Sequence, residues 1–265
     1  MPEPSTFATL HNAKRVWAVA SIHGEAARLS AIHDQIAERF EPGDRLVYLG
    51  NFLGHGKTIR ATLDHLLSFR RALLAEPGML ACNIVFLRGA QEEMWAKLMQ
   101  LHLALDPVTV LDWMLDRGLR ATLEAYGGNA AEGLSRARVG AVELARWTGR
   151  LRDAMQSNAG HYNLMSALRR AAFTGDGSLL FVNAGLEADR PLDTQGDSLW
   201  WGDGFDRITE PYSHFKLVVR GYDRKQRGVR FTAHTASLDG GCGAGGPLQA
   251  ACFDLDGNCI EQIEG

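Results

Sequence analysis

The chain has 265 residues, of which 46% are hydrophobic and 22% charged, a composition typical of a globular protein long enough to bury a full core. A formal net charge of -3 and a pI near 6.3 provide no overall positive field, which argues against nucleic acid as a partner. There is no recognisable secretion signal or membrane-spanning run, and four scattered cysteines are typical of reduced thiols, so we expect a cytoplasmic protein without membrane contact.

Strand and helix patterns alternate in the first third of the chain. Short runs rich in Val, Leu and Phe predict strands at residues 15–20, 45–49 and 83–87, each followed by a loop that contains glycine. Apolar residues at helical spacing, beginning at Leu29 and at Ile59, predict a helix between each pair of strands. This β-α-β-α-β order places the three loops at one edge of a sheet.

The pattern becomes helical from Glu92 to about Ala172, and we interpret this segment as an insertion into a single domain that spans residues 1–265. Within it, residues 127–140 contain four glycines and predict a mobile loop. Strand patterns then return at residues 179–182, 216–219, 229–232 and 248–263, the last as a hairpin turned at Asp256-Gly257.

Two glycine-rich segments imitate nucleotide-binding motifs. The segment GNFLGHGKT, residues 50–58, lies between a strand and a helix, but Asn51 stands where a P-loop needs its first glycine. The segment GCGAGG, residues 241–246, precedes Pro247 and a strand, whereas a pyrophosphate needs the N-terminus of a helix. We interpret both segments as turns.

Six short segments, in order, carry a resemblance that covers essentially the whole chain: ASIHGE, LGNFLGHGK, LRGAQEE, FVNAGL, DSLWWG and VVRGYD. They are similar to GDxHG, GDxxDRG, LRGNHE, FVHAGL, DxLLWxR and VVHGHT in the bacterial serine/threonine protein phosphatases, a branch of the calcineurin-like metallophosphoesterases. The resemblance implies an α/β fold, the metallophosphatase-like α/β/β/α sandwich of two mixed sheets, here with a helical insertion at about residues 92–172.

The same resemblance implies that most metal ligands are replaced. The family clamps two divalent ions, such as manganese or iron, which activate water for attack on phosphorus. His23 is the one matched ligand that is retained. The other matched ligand positions carry Ser21, Asn51, Ala90, Asn183 and Tyr222, and Asn51 replaces the carboxylate that bridges both ions.

The residues that serve acid catalysis and phosphate binding in the family are also replaced in this sequence. The histidine that protonates the leaving group corresponds to Gln91, and the aspartate that supports it corresponds to Gly54. The two arginines that hold the phosphoryl group correspond to His55 and Gly202. Framework positions of the family, such as Glu92 and most loop glycines, are kept.

We therefore expect a pseudophosphatase, in which none of these ten positions is catalytic and no metal or cofactor is bound. It would act as a binding or regulatory module for a protein partner or a phosphorylated ligand. A weak or remodelled metal-dependent phosphoesterase is the alternative, and a replacement metal site formed by His23, His55 and His234 is a further one. Cys242 is either a reactive thiol with His234 as its base or an incidental cysteine, and Arg220 either binds an anion or forms a salt bridge.

Overall fold

The computed structural model describes residues 6–265, so the first five residues of the predicted domain lie outside it. Strands are numbered along the chain as β1 (Phe7–Leu10), β2 (Arg15–Val19), β3 (Asp44–Tyr48), β4 (Ile84–Phe86), β5 (Ala171–Thr174), β6 (Leu179–Val182), β7 (Leu217–Arg220), β8 (Arg230–Phe231), β9 (Thr235–Ser237), β10 (Gln249–Asp254) and β11 (Cys259–Glu264). Helices are α1 (Ala26–Arg39), α2 (Ile59–Leu74), α3 (Ala90–Leu98), α4 (Pro107–Met114), α5 (Arg120–Ala125), α6 (Ala130–Val139), α7 (Ala141–Gln156), α8 (His161–Ala167) and α9 (Ser198–Trp201).

The strands form two mixed sheets, which confirms the predicted α/β sandwich. One sheet has the order β11-β10-β2-β3-β4, with β2, β3 and β4 parallel and β10 antiparallel to both β2 and β11. The other has the order β1-β5-β6-β7-β9-β8, with β6, β7 and β9 parallel. Residues of both sheets share one large hydrophobic core. In residues 6–265, no helix has the length and hydrophobicity needed to cross a membrane.

The first sheet is covered by the two helices that its sequence pattern predicts. Apart from the half-buried Arg15 at the start of β2, its parallel strands are buried along their whole length, which explains why their apolar residues are continuous and do not alternate with polar ones. Helix α1 buries Leu29, Ile32 and Ile36, and helix α2 buries Leu63 and Leu66, because each repeats an apolar residue every three or four positions.

A second apolar cluster covers the outer face of the six-stranded sheet. Val182 and Val218 point to this face, where Trp200, Phe205 and Phe215 pack on them. Along β7, successive side chains alternate between the shared core and this outer cluster, as the pleat of a strand requires.

The segment that the glycines suggested as a mobile loop is helix α6, so this prediction is wrong. Asn129 caps the helix by accepting a hydrogen bond from the Glu132 N–H at 3.0 Å. Gly133 belongs to a packed surface, because a Cβ there would lie 2.6 Å from the ring of Trp147. A glycine count does not distinguish a flexible loop from a helix that needs one residue without a side chain.

Three short strands were not predicted from the sequence. Ala171 and Ala172 begin β5, although the helical pattern extends over them, and β1 and β9 are not predicted at all. Their sequences, FATL, AAFT and TAS, are rich in alanine, threonine and serine and lack the runs of Val, Leu or Ile by which the equally short β4, β6 and β7 are recognised.

His33 is a buried polar residue at the junction of α1, α2 and the five-stranded sheet. Its Nε2 lies 2.7 Å from the hydroxyl of Tyr48, and its ring stacks on Phe69 with 3.9 Å between ring centres. Burial and, to a smaller extent, the neighbouring His65 together lower the pKa of His33 to about 2. The folded protein therefore keeps this imidazole neutral at neutral pH.

We predict that the free energy of unfolding falls as the pH drops below about 6.5. The unfolded chain protonates its histidines there, whereas folded His33 stays neutral until about pH 2, so its contribution is complete above pH 6.5 and declines below it by up to about 1.4 kcal/mol per pH unit. Urea unfolding at pH 7, 6 and 5 measures this dependence. His33→Gln should show a shallower dependence than the unmodified chain, and His214→Gln, which removes an exposed histidine, is the control. An unchanged dependence in His33→Gln would contradict the prediction.

Candidate functional site

The loops that follow β2, β3, β4, β6 and β7 meet at one edge, between the two sheets. The Ser21 N–H donates to the Gly221 carbonyl at 3.1 Å, and the Gly221 N–H donates to the Asn183 carbonyl at 3.0 Å. The Asn183 side chain in turn donates to the Leu49 carbonyl at 2.6 Å. These contacts join the carboxyl ends of strands from both sheets, so residues distant in sequence form one cluster.

Asn51 is fully buried at the centre of this cluster. Its Nδ2 donates to the Ser21 hydroxyl at 3.1 Å, and its Oδ1 accepts from the Gln91 N–H at 3.0 Å. Its carbonyl accepts from the N–H groups of Ile22 and His23 at 3.1 and 2.7 Å. A φ of 55° places Asn51 in the left-handed region, which asparagine tolerates better than most residues. Both polar atoms of the amide are therefore satisfied within the protein.

Asn183 is a second buried amide whose atoms are both used. Besides the bond of its Nδ2 to the Leu49 carbonyl, its Oδ1 accepts from the Ala90 N–H at 3.3 Å. Gly50 makes this approach possible, since a Cβ at that position would lie 2.9 Å from Asn183 Nδ2 and 2.7 Å from the Gly89 nitrogen. Asn183 thus connects the six-stranded sheet to the loops of the other sheet.

Gln91 fills the place in front of Asn51. Its Nε2 donates to the Arg117 carbonyl at 2.7 Å, in a non-helical turn between α4 and α5. A Cβ on Gly54 would lie 2.8 Å from Gln91 Cδ, so the absence of a side chain at position 54 gives Gln91 its room. The Gly54 N–H donates to the Thr122 hydroxyl at 3.1 Å. The helical segment is therefore bonded directly onto the loops and closes the site.

His23, His55 and Tyr222 form an aromatic group beside this amide network. The His23 ring centre lies 5.2 Å from that of His55 and 5.6 Å from that of Tyr222. His23 is buried, and its Nδ1 has no hydrogen-bond partner among residues 6–265. Burial and, to a smaller extent, His55 together lower the pKa of His23 to about 3. His55 itself is exposed and rests on the helical segment, because a Cβ on Gly118 would lie 2.7 Å from its ring.

Glu92 holds two of the loops together. One carboxylate oxygen accepts from the N–H groups of Asn51 and Gly89, both at 2.8 Å, and the other accepts from the Leu53 N–H at 3.0 Å. Burial raises the pKa of Glu92, and the backbone donors partly offset that effect. These contacts agree with the role of Glu92 as a framework position. The neighbouring Arg88 pairs with Glu93, at 3.1 Å.

His234 does not lie near His23 and His55, so the alternative of a metal site formed by these three histidines is wrong. It precedes β9, at the amino end of the strand, and its Nδ1 lies 3.2 Å from the Lys216 carbonyl. The cluster is built instead at the carboxyl ends of the strands. Within residues 6–265, no third His, Cys, Asp or Glu side chain is grouped with these two imidazoles so that a metal ion could be held.

Of the two alternatives for Cys242, the structure favours an incidental cysteine, because its thiol is buried and is not paired with His234. Its Sγ donates to the Ile22 carbonyl at 3.3 Å, and burial raises its pKa to about 12. Gly202 ends α9, where a Cβ would lie 2.6 Å from the Ser198 carbonyl oxygen, so this position serves backbone packing.

A group of ion pairs lies beside β7, and apart from the salt bridge suggested for Arg220 it was not predicted from the sequence. Arg220 is 5% exposed and pairs with Asp223 at 3.0 Å, which agrees with the salt-bridge interpretation. Arg227 pairs with Asp223 and with Asp206, both at 2.7 Å. The available signal was the density of arginine between residues 220 and 230, where four occur.

Several solved structures that match this fold are described as phosphatases. A structure assigned to a diadenosine tetraphosphatase matches with a TM-score of 0.56 and 20% identity over 98% of each chain. A protein serine/threonine phosphatase from Saccharomyces cerevisiae matches with a TM-score of 0.52 and 13% identity, over 98% of this chain and 84% of that one. A cold-active protein tyrosine phosphatase matches with a TM-score of 0.56 and 13% identity, over 100% of this chain and 80% of that one. No family model and no curated protein matches the sequence. At such identities the matches show a metallophosphatase-like fold.

We predict that Glu92→Ala destabilises the protein by at least about 3 kcal/mol, because three buried N–H groups lose their acceptor at once. Urea unfolding measures the change. Glu92→Gln keeps one acceptor oxygen and should lose less. Glu124→Ala removes an exposed glutamate from α5 and is the control. A loss in Glu92→Ala no larger than in Glu124→Ala would contradict a structural role for Glu92.

Proposed function

We propose that the chain is a pseudophosphatase, a non-catalytic binding or regulatory module built on the metallophosphatase-like fold. The observation that carries the proposal is the buried amide of Asn51, with both polar atoms hydrogen-bonded inside the protein. In the bacterial phosphatases that the sequence resembles, a carboxylate at this position bridges two divalent ions.

Charge repulsion between two metal ions is the strongest support for a non-catalytic role. Two divalent cations about 4 Å apart repel each other by roughly 17 kcal/mol at an effective dielectric constant of 20. Anionic ligands placed between and around the ions must offset that repulsion. An amide carries no net charge, and the nearest buried carboxylate, Glu92, directs both oxygens at backbone N–H groups.

The donor atoms present do not fit a pair of divalent ions. The Ser21 hydroxyl, Asn51 Oδ1 and Asn183 Oδ1 each accept a hydrogen bond from a protein donor. In the part of the chain that the structure describes, no three His, Cys, Asp or Glu side chains are grouped so that they could hold a metal ion. Binding two ions would break the hydrogen bonds that join the loops.

The groups that would handle a proton and a phosphate are absent as well. Gln91 has no useful pKa, and its amide is bonded to the Arg117 carbonyl at 2.7 Å. The positions of the two arginines hold His55 and Gly202, neither of which offers a bidentate fork. A phosphate ester at this edge would therefore have no general acid to protonate its leaving group and no arginine to bind its phosphate.

The kept framework supports a binding role. The triple contact of Glu92 and the close approach of Gly50 to Gly89 preserve the loop geometry without the chemistry. We propose a protein partner or a phosphorylated ligand as the bound species. We also place this protein among bacterial cytoplasmic proteins, consistent with its four cysteines, which form no disulfide.

A weak or remodelled metal-dependent phosphoesterase is the second candidate. The pair formed by His23 and His55, with ring centres 5.2 Å apart, favours it, because neutral imidazoles bind zinc or copper. Such a site would need further ligands from water or substrate, and would operate with one ion instead of two.

We predict that the purified chain, dialysed against manganese, retains far less than one ion per molecule by elemental analysis. It should also release no phosphate from p-nitrophenyl phosphate or from a phosphoserine peptide above the rate of buffer with manganese. His23→Ala, checked for folding by circular dichroism, should give the same blank result. Two bound ions together with turnover that His23→Ala abolishes would contradict the proposal, whereas zinc-dependent turnover with one ion would establish the second candidate.

A further inference from the structure

A cavity of about 330 Å³ lies on the outer face of the six-stranded sheet, next to the edge strand β8. None of the ten positions at the loop cluster lines it. The cavity is lined by three arginines, Arg220, Arg227 and Arg230, and by the hydroxyls of Thr232, Thr235 and Ser237. Its volume is within the range of small-molecule sites.

The position of the cavity in the sheet makes this lining unusual. Val182 on β6 and Val218 on β7 point to the outer face and are packed under apolar side chains. Two residues further along β7 the same face carries Arg220, and on β9 its register partner is Ser237, which accepts from Arg220 Nε at 3.0 Å. The apolar face of the sheet thus gives way, at the cavity, to arginine and hydroxyl side chains.

Arg220 is fixed in place before any ligand arrives. It pairs with Asp223 at 3.0 Å and lies 4.2 Å from the ring centre of Phe205. Burying a guanidinium is costly unless its partners are well placed, so this side chain is a rigid part of the cavity wall. Ile208 and Phe205 form an apolar border next to it.

The charges around the cavity leave a small positive surplus. Arg220, Arg227 and Lys225 face three carboxylates: Asp206, which also lines the cavity, Asp223, and Asp239, whose charge acts on Arg220. Arg230 adds one positive charge, since it is exposed and has no ion pair within residues 6–265. The whole chain is net negative, so this surplus is a local feature. A cavity with one unpaired arginine, two further arginines and several hydroxyls suits an anionic group such as a phosphate.

We propose that this cavity binds a phosphomonoester, with the phosphate between Arg227 and Arg230 and the organic part against Ile208. Guanidinium groups bind phosphate in bidentate fashion, and hydroxyls complete its coordination. The inference rests on the proposed function in one respect, namely that the ester is held and not cleaved. The phosphorylated species expected from the sequence would then bind outside the loop cluster, which Gln91 fills.

Isothermal titration of the full chain, in metal-free buffer of low ionic strength, tests this site with O-phosphoserine, with serine and with inorganic phosphate. Phosphoserine and phosphate should bind and serine should not. Arg230→Ala should weaken phosphoserine binding roughly tenfold or more, because it removes a charge-assisted contact. Arg138→Ala is the matched control, because Arg138 is also exposed and has no ion pair among the described residues. Ala233→Phe should abolish binding by filling the cavity without a change of charge.

The source of the phosphate group is resolved by a phosphoserine peptide. Tighter binding of the peptide than of the free amino acid indicates a phosphorylated protein, and equal or weaker binding indicates a small ester; both outcomes support the site. Equal heats from phosphoserine and serine overturn the inference, as does an equal loss in Arg230→Ala and Arg138→Ala. Phosphate released during the titration would overturn the proposed lack of catalysis and leave the binding result standing.

Discussion

The two hydrogen bonds of the Asn51 side chain determine what the edge between the sheets can do. One joins the amide to the Ser21 hydroxyl and the other to the Gln91 N–H, and water has no access to either. A charge at this place would lack a partner, and a cation would have to break both bonds. The surroundings are consistent with that neutrality, since burial keeps His23 uncharged and both atoms of the Asn183 amide are engaged.

The loop cluster is also closed by a side chain. Gln91 crosses the cluster to the Arg117 carbonyl, in space that Gly54 leaves empty. The helical segment between β4 and β5 is thereby tied to the loops. An open, positively charged cavity is instead found on the outer face of the six-stranded sheet. The loop cluster is thus closed and structural, whereas the cavity on the outer face is open and has side chains that can bind an anion.

The sequence predicted the first sheet well, because β2, β3 and β4 are buried apolar runs separated by helices with clear apolar faces. It failed for β1, β5 and β9, whose sequences are rich in alanine, threonine and serine, and for α6, whose glycine packs against Trp147. The meeting of Asn51, Gln91 and Asn183 was predicted from the resemblance, but their mutual hydrogen bonds were not. A salt bridge was one of two alternatives for Arg220, and its partner Asp223 lies only three residues away, whereas the approach of Asp206 depends on the fold.

Anomalous diffraction from crystals grown with excess manganese tests the central claim most directly, because it locates ions without relying on activity. A neutral, fully hydrogen-bonded Asn51 predicts no manganese peak within coordination distance of Asn51, Ser21 or Asn183, and an unchanged bond from Asn51 to Ser21. Two peaks about 4 Å apart beside Asn51, with its amide turned toward them, would contradict the account.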